Sequence, residues 1–215
     1  MGECFNGDVG FVADYQNYVT GLFNYPMYFT IQDVFGRGES MYNIRTRYSE
    51  EEAAFKDVDA LGSFMDNHDN ARFLSNFQGN WAGFLNAITF AMTARGIPFF
   101  YYGDEQGFSG GNDPANRESL WNAMDTSAEV YQKVAKINRA RKAAKVWEHD
   151  YTERYVTDSF FSYSFGDMLV MVTNTGSTDL EMPYLPWADG TEVCNIFWPN
   201  DDCQTVSGGK IQAHL

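Results

Sequence analysis

The stretch from Asn80 to Tyr102, NWAGFLNAITFAMTARGIPFFYY, decides the fold. Its first part places Trp81, Phe84, Leu85, Ile88, Ala91 and Met92 at the spacing of one helix face. Gly96 stands where a C′ glycine closes such a helix, since glycine enters the left-handed region without a Cβ clash. Ile97 to Tyr102 then runs almost wholly apolar. A continuous apolar run of strand length, rather than an alternating one, belongs to a parallel strand covered on both faces. Helix, glycine stop and buried strand together predict an α/β fold with a parallel sheet.

The neighbours keep the same rhythm. A short strand is expected around Leu22–Tyr25, followed by a turn and a helix towards Phe35. Ser49, with Glu52 at the third helical position, reads as a helix start running to about Val58. Leu61–Asn67 reads as a buried strand, and Ser127–Lys145 as a helix with Val130, Val134 and Ile137 inward. After Trp147 the rhythm changes. Phe160–Phe165 and Met168–Thr173 flank Gly166-Asp167, a two-residue hairpin signal. Tyr151–Thr157, Leu180–Leu185 and Val193–Trp198 are further short strands. Two domains are expected, residues 1–147 and 148–215, the second an antiparallel β module.

Composition narrows the function. The chain has 15 Lys and Arg against 29 Asp and Glu, a formal charge of −14. Such a surface repels nucleic acid and anionic membranes, and no basic patch interrupts it. No apolar run approaches the roughly 18 residues of a membrane span. The first residues carry neither the basic nor the apolar region of a signal peptide. Of three cysteines, Cys4 stands alone, while Cys194 and Cys203 flank the turn-rich Pro199–Asp202. Their spacing suits a bridge across a hairpin; the other reading is two unpaired thiols. Nothing has the spacing of a zinc site.

Four segments carry ionisable groups: Gly2–Asp8 with Glu3; Phe64–Asn70 with His68 and Asp69; Gly96–Glu105; and Gly110–Glu118 with Asp113 and Arg117. Singly each has a plain account. Glu3 is an acid in a terminus, Asp69 caps a turn, and Asp113-Pro114 starts a short helix with Arg117 one turn on. Together they set carboxylates and a histidine at the ends of successive parallel strands, where such folds build their sites. Paired carboxylates at a barrel mouth suit glycoside hydrolysis.

In order, these segments resemble late motifs of glycoside hydrolase family 13, the α-amylases: Gly2-Glu3…Gly7-Asp8, Phe64…Asn67-His68-Asp69, and Gly96-Ile97-Pro98…Tyr102-Gly103…Glu105-Gln106. Gly111–Glu118 and Tyr15-Gln16-Asn17…Asn24-Tyr25-Pro26 are similar to the fungal type in particular. The resemblance implies the C-terminal half of a (β/α)8 barrel, strands five to eight, followed by an all-β sandwich-like domain. It implies Glu3 as a general acid/base buried beside the sugar and Asp69 as a second carboxylate on the sugar hydroxyls. It implies His68 on a hydroxyl of the same sugar, and Asp113 and Arg117 on a neighbouring glucose. Also implied are an α-glucan substrate, a retaining mechanism, an extracellular setting and a monomeric full-length protein. Calcium is implied for the full-length family, with ligands mostly outside this chain.

The family's nucleophile, an Asp in an Arg-x-Asp motif after strand four, has no counterpart here. The expectation is therefore a piece of a longer enzyme, inactive and prone to self-association alone. Two alternatives remain at this point: an α-glucosidase or transglycosylase of the same family, and a non-catalytic carbohydrate-binding homologue.

Overall fold

A computed structural model describes residues 1–215. Its parallel sheet holds β1 (Leu22–Phe23), β2 (Leu61–Ser63) and β3 (Ile97–Pro98) in that order, with Leu22 opposite Leu61 and Gly62 opposite Ile97. A fourth parallel segment joins at the other edge. Gly2 bridges to Leu22, its N–H donating to Gly21 O at 2.8 Å and its carbonyl accepting from Phe23 N at 3.0 Å. Four segments consecutive in sequence thus lie side by side and point the same way. Their C-terminal ends, Glu3, Asn24, Phe64 and Phe99, share one edge.

Helices α1 (Val9–Asp14), α2 (Tyr25–Ile31), α3 (Tyr42–Ala54), α4 (Phe73–Asn76), α5 (Trp81–Thr93) and α6 (Glu129–Ala144) connect and cover these segments. The central prediction holds: α5 starts on Asn80, whose side chain accepts from Gly83 N. Gly96 has φ +90°, and a Cβ there would stand 2.2 Å from Leu61 O, so only glycine lets the turn pass so close to β2.

Several expectations need correction. The strand expected over Leu61–Asn67 spans only Leu61–Ser63, the one over Val193–Trp198 ends at Cys194, and the Asp113-Pro114 segment forms turns rather than a short helix. The helix around Ser49 begins seven residues earlier, at Tyr42, and Ser49 sits inside it with its hydroxyl donating to Arg45 O at 3.1 Å. Ile44, Tyr48 and Glu51, at helical spacing, form its buried face and settle where it starts. The strand after Gly96 is only Ile97–Pro98, and Ile97, Phe99, Phe100 and Tyr102 are exposed rather than covered on both faces. β3 is an outer strand, and its last sheet bond is Phe99 N to Ser63 O at 2.7 Å. Beyond it the chain turns into a 3-10 segment at Asp104–Gln106.

After α6 the chain becomes antiparallel. β4 (Tyr151–Val156), β5 (Phe160–Phe165) and β6 (Met168–Thr173) form a meander that turns at Gly166, φ +53°. β7 (Asp179–Met182) pairs with β10 (Ile211–His214), and β8 (Glu192–Cys194) with β9 (Cys203–Thr205). β9 and β10 carry no separate expectation from the sequence, because each is short and mixed in polarity. Cys194 and Cys203 face each other in register and are bridged. Every residue of β5 is buried. Phe161, Tyr163 and Phe165 pack with Phe90 and Ala91 of α5 in one core cluster, and Phe160 packs with Met182, Ile211 and Ala213 in another. The meander is therefore a middle layer between the helices and β7–β10. Thr93 and Tyr163 share a hydrogen bond of 2.6 Å across the first of these boundaries.

Candidate active site

The five residues singled out from sequence come together through one chain of hydrogen bonds and charge contacts on the C-terminal edge of the parallel sheet. It starts at Glu3, directly after the Gly2 bridge. Tyr25, at the start of α2, donates its hydroxyl to Glu3 Oε1 at 2.7 Å. The same hydroxyl accepts from Asn67 Nδ2 at 2.8 Å. Burial, and then the bond to Glu3, push the Tyr25 hydroxyl far above its ordinary value, so it stays protonated and remains a donor. Asn24 fixes the tyrosine from behind, its side chain accepting from Met27 N and capping α2, with Pro26 in the first turn.

Asn67 then shapes the turn that bears His68 and Asp69. Its Oδ1 accepts from Asp69 N at 3.1 Å, Asn70 N at 3.0 Å and Asn70 Nδ2 at 2.9 Å. Asp69 is free for other work, since the asparagine caps the turn. Asp69 Oδ1 lies 3.3 Å from His68 Nε2 and 3.9 Å from Arg117 Nη2. Arg117 in turn forms an ion pair with Asp113, Nε to Oδ1 at 2.6 Å. Glu3, His68, Asp69, Asp113 and Arg117 are all exposed along this edge. For Glu3 this departs from the burial that the resemblance implies: nothing among the 215 residues covers the face it occupies.

A buried group lies behind this row, and sequence reasoning missed it. Arg72 is fully buried. Its Nη1 donates to Asp104 Oδ1 at 2.7 Å, its Nε to Glu118 Oε2 at 2.8 Å and its Nη2 to Tyr102 O at 2.9 Å. The guanidinium also lies 4.3 Å from the Tyr101 ring centroid. A lone arginine placed just before the apolar pair Phe73-Leu74, and just after the His68-Asp69 turn, is the signal that could have found it. Asp66 completes the group beside Asp104, both its oxygens accepting from Phe73 N, at 2.9 and 3.0 Å.

Burial pushes Asp66 up to about 7, and burial next to Asp66 also raises Asp104. Both buried carboxyls are thus held above the ordinary carboxylate range, by burial first. Glu118 differs: burial would raise it, but hydrogen bonds from backbone N–H groups and from Arg72 outweigh burial and hold it low. The sign of the pH effect follows. Folded, the pair keeps protons that free carboxyls with the ordinary value of 3.8 release, so its own contribution to stability is fully present below about pH 4 and is lost as pH rises through about 7. Asp104→Asn removes one of the two buried acids and keeps its shape. Melting temperatures from pH 4 to pH 7 should then change less than in the parent, with a slope remaining from Asp66 and from Glu51, which burial also raises to about 7; an unchanged slope would place the pH dependence elsewhere.

Calcium, expected for the full-length family, takes roughly six to eight oxygen ligands. No three His, Cys, Asp or Glu side chains converge here on a point that could hold it. The carboxylates that do gather surround the Arg72 guanidinium. These residues do not fit the ion.

Comparisons with known proteins give the family. Residues 1–183 match the family described as alpha amylase, catalytic domain. The chain belongs to the α-amylase family, glycoside hydrolase family 13. It is 41% identical to the beta/alpha-amylase of Paenibacillus polymyxa over all of this chain and 19% of that protein. It is 33% identical to the α-amylase of Saccharomycopsis fibuligera over 98% of this chain and 44% of that protein. The solved α-amylase of Malbranchea cinnamomea superposes with a TM-score of 0.91 at 29% identity, over all of this chain and 47% of its own. The chain thus spans less than half the length of these α-amylase relatives. No helix is long and apolar enough to cross a membrane.

Proposed function

We propose that this chain carries the acid/base and sugar-binding side of an enzyme that hydrolyses internal α-1,4-glucosidic bonds of starch or glycogen. The observation that carries the reading is the continuous path from Glu3 through Tyr25 and Asn67 to Asp69, Arg117 and Asp113 along one strand-end edge. It places Glu3, a candidate acid/base of the kind that cleavage of a glycosidic bond needs, on the same edge as a second carboxylate, Asp69.

Glu3 protonates the leaving oxygen and later takes a proton from the attacking water. Tyr25 keeps its carboxyl in place. Asp69 accepts from hydroxyls of the sugar being cleaved and favours its distortion towards the oxocarbenium-like transition state. His68 bonds a hydroxyl of the same ring. Asp113 and Arg117 present an acceptor and a donor to the next glucose on the non-reducing side. Retention needs a third carboxylate as nucleophile. None of these residues fills that role, so the full-length enzyme supplies it from outside these 215 residues, and the same applies to any calcium ligands. The chain alone should not turn over starch.

Domain roles follow the change of rhythm near residue 147: 1–147 forms part of the catalytic barrel, and 148–215 a β domain packed on its helices. The exposed disulfide suits an oxidising, extracellular setting. The negative charge argues against nucleic acid and anionic membranes as partners, and the full-length enzyme is expected to act as a monomer.

Products from soluble starch test the reading. The full-length enzyme should give mixed oligosaccharides and lose iodine staining early. Glucose alone from the first minutes would point to an α-glucosidase, and starch binding without any product to a carbohydrate-binding homologue.

A further inference from the structure

Arg117 has an anchored residue on each side. Before it, Asn116 is fully buried and donates Nδ2 to the carbonyls of His68 and Asn70, at 2.8 Å each. After it, Glu118 accepts from Arg72 Nε and, through its other oxygen, from Gly110 N at 2.5 Å. Arg72 also donates its backbone N–H to Gly110 O at 3.1 Å. One buried side chain therefore grips Tyr102, Asp104 and Glu118, and its backbone grips Gly110. These four points lie along the segment that bears Asp113 and Arg117, while Arg72 itself belongs to the segment that bears His68 and Asp69.

We propose that Arg72 is a positioning residue that sets where Arg117 and Asp113 stand relative to Asp69, and so sets the grip on the glucose next to the one being cleaved. Arg72 touches no sugar: its side chain is fully buried and all its donors are directed inward. A planar fork is needed because three acceptors from separate points on one segment must be met at once, and a lysine ammonium at the end of a flexible stem cannot hold that geometry. The inference rests on the proposed function, which makes Asp113 and Arg117 sugar-binding residues.

The test uses the full-length enzyme with maltoheptaose as substrate. Arg72→Lys should raise KM about tenfold or more while kcat changes by less than about threefold, the pattern of lost binding common to ground and transition states. Glu118→Gln, which keeps the shape and is the milder change should Arg72→Lys fail to fold, should raise KM in the same direction by about threefold. Arg117→Gln should raise KM by itself, and adding Arg72→Lys to it should raise KM no further, because the arginine acts through that residue. A lower melting temperature and lower kcat with KM unchanged in Arg72→Lys and Glu118→Gln, beside a raised KM in Arg117→Gln, would overturn the positioning role and leave the proposed function standing. An unchanged KM in Arg117→Gln would overturn both.

Discussion

Glu3→Gln in the full-length enzyme should lower kcat on starch by roughly 100- to 10,000-fold with little change in KM, since the amide keeps the shape but cannot transfer a proton. The fold should survive. Glu3 is exposed and makes one contact of consequence, the hydrogen bond from Tyr25 at 2.7 Å, which an amide oxygen still accepts. The leaving group gives a second handle. A maltosyl fluoride needs no protonation to depart, so Glu3→Gln should release a first equivalent of fluoride far faster than it cleaves starch. Equal losses on both substrates would show that Glu3 holds the site together rather than moving a proton.

Arg72→Met should be the most destabilising single change in the site. The apolar replacement fills similar space but leaves Asp104 and Glu118 without their cation, and breaking a buried pair from one side costs roughly 3–5 kcal/mol. The carbonyl of Tyr102 loses its donor as well. Urea unfolding followed by tryptophan fluorescence should show the midpoint move by an amount that corresponds to this range. A loss under about 1 kcal/mol would mean that water or a local shift takes over the guanidinium's work.

Much of the fold is legible in the sequence because local and long-range signals agree there. The α5 face, the Gly96 stop, the Gly166-Asp167 hairpin and α6 all follow from spacing and turn chemistry. The reading weakens where a local signal is real but overruled. Ser49 with Glu52 has the pattern of a helix start, yet the buried row Ile44, Tyr48 and Glu51 pulls the helix back to Tyr42. The apolar run after Gly96 has the composition of a covered strand, but composition cannot tell a central strand from an outer one, and β3 is outer.

The site divides in the same way. Its charged residues can be seen in sequence because they stand at strand ends among polar neighbours. The residues that hold them, Tyr25, Asn116 and Arg72, stand in or beside the same segments, but their roles as supports cannot be read from type or spacing. Their roles depend on bonds across long separations: Tyr25 to Glu3, Asn116 to His68, and Arg72 to Glu118. Arg72 is hardest to see, since a charged residue at full burial runs against every composition rule until its three partners are known.

The central claim is that Glu3, His68, Asp69, Arg117 and Asp113 line one α-glucan cleft. A crystal structure of the full-length Glu3→Gln enzyme with maltoheptaose tests it most directly. The predicted result places one glucose between residue 3 and Asp69, with His68 on its hydroxyls, and the next glucose against Arg117 and Asp113. An oligosaccharide bound elsewhere, with no sugar within hydrogen-bond distance of Asp69 and Arg117, would contradict the account.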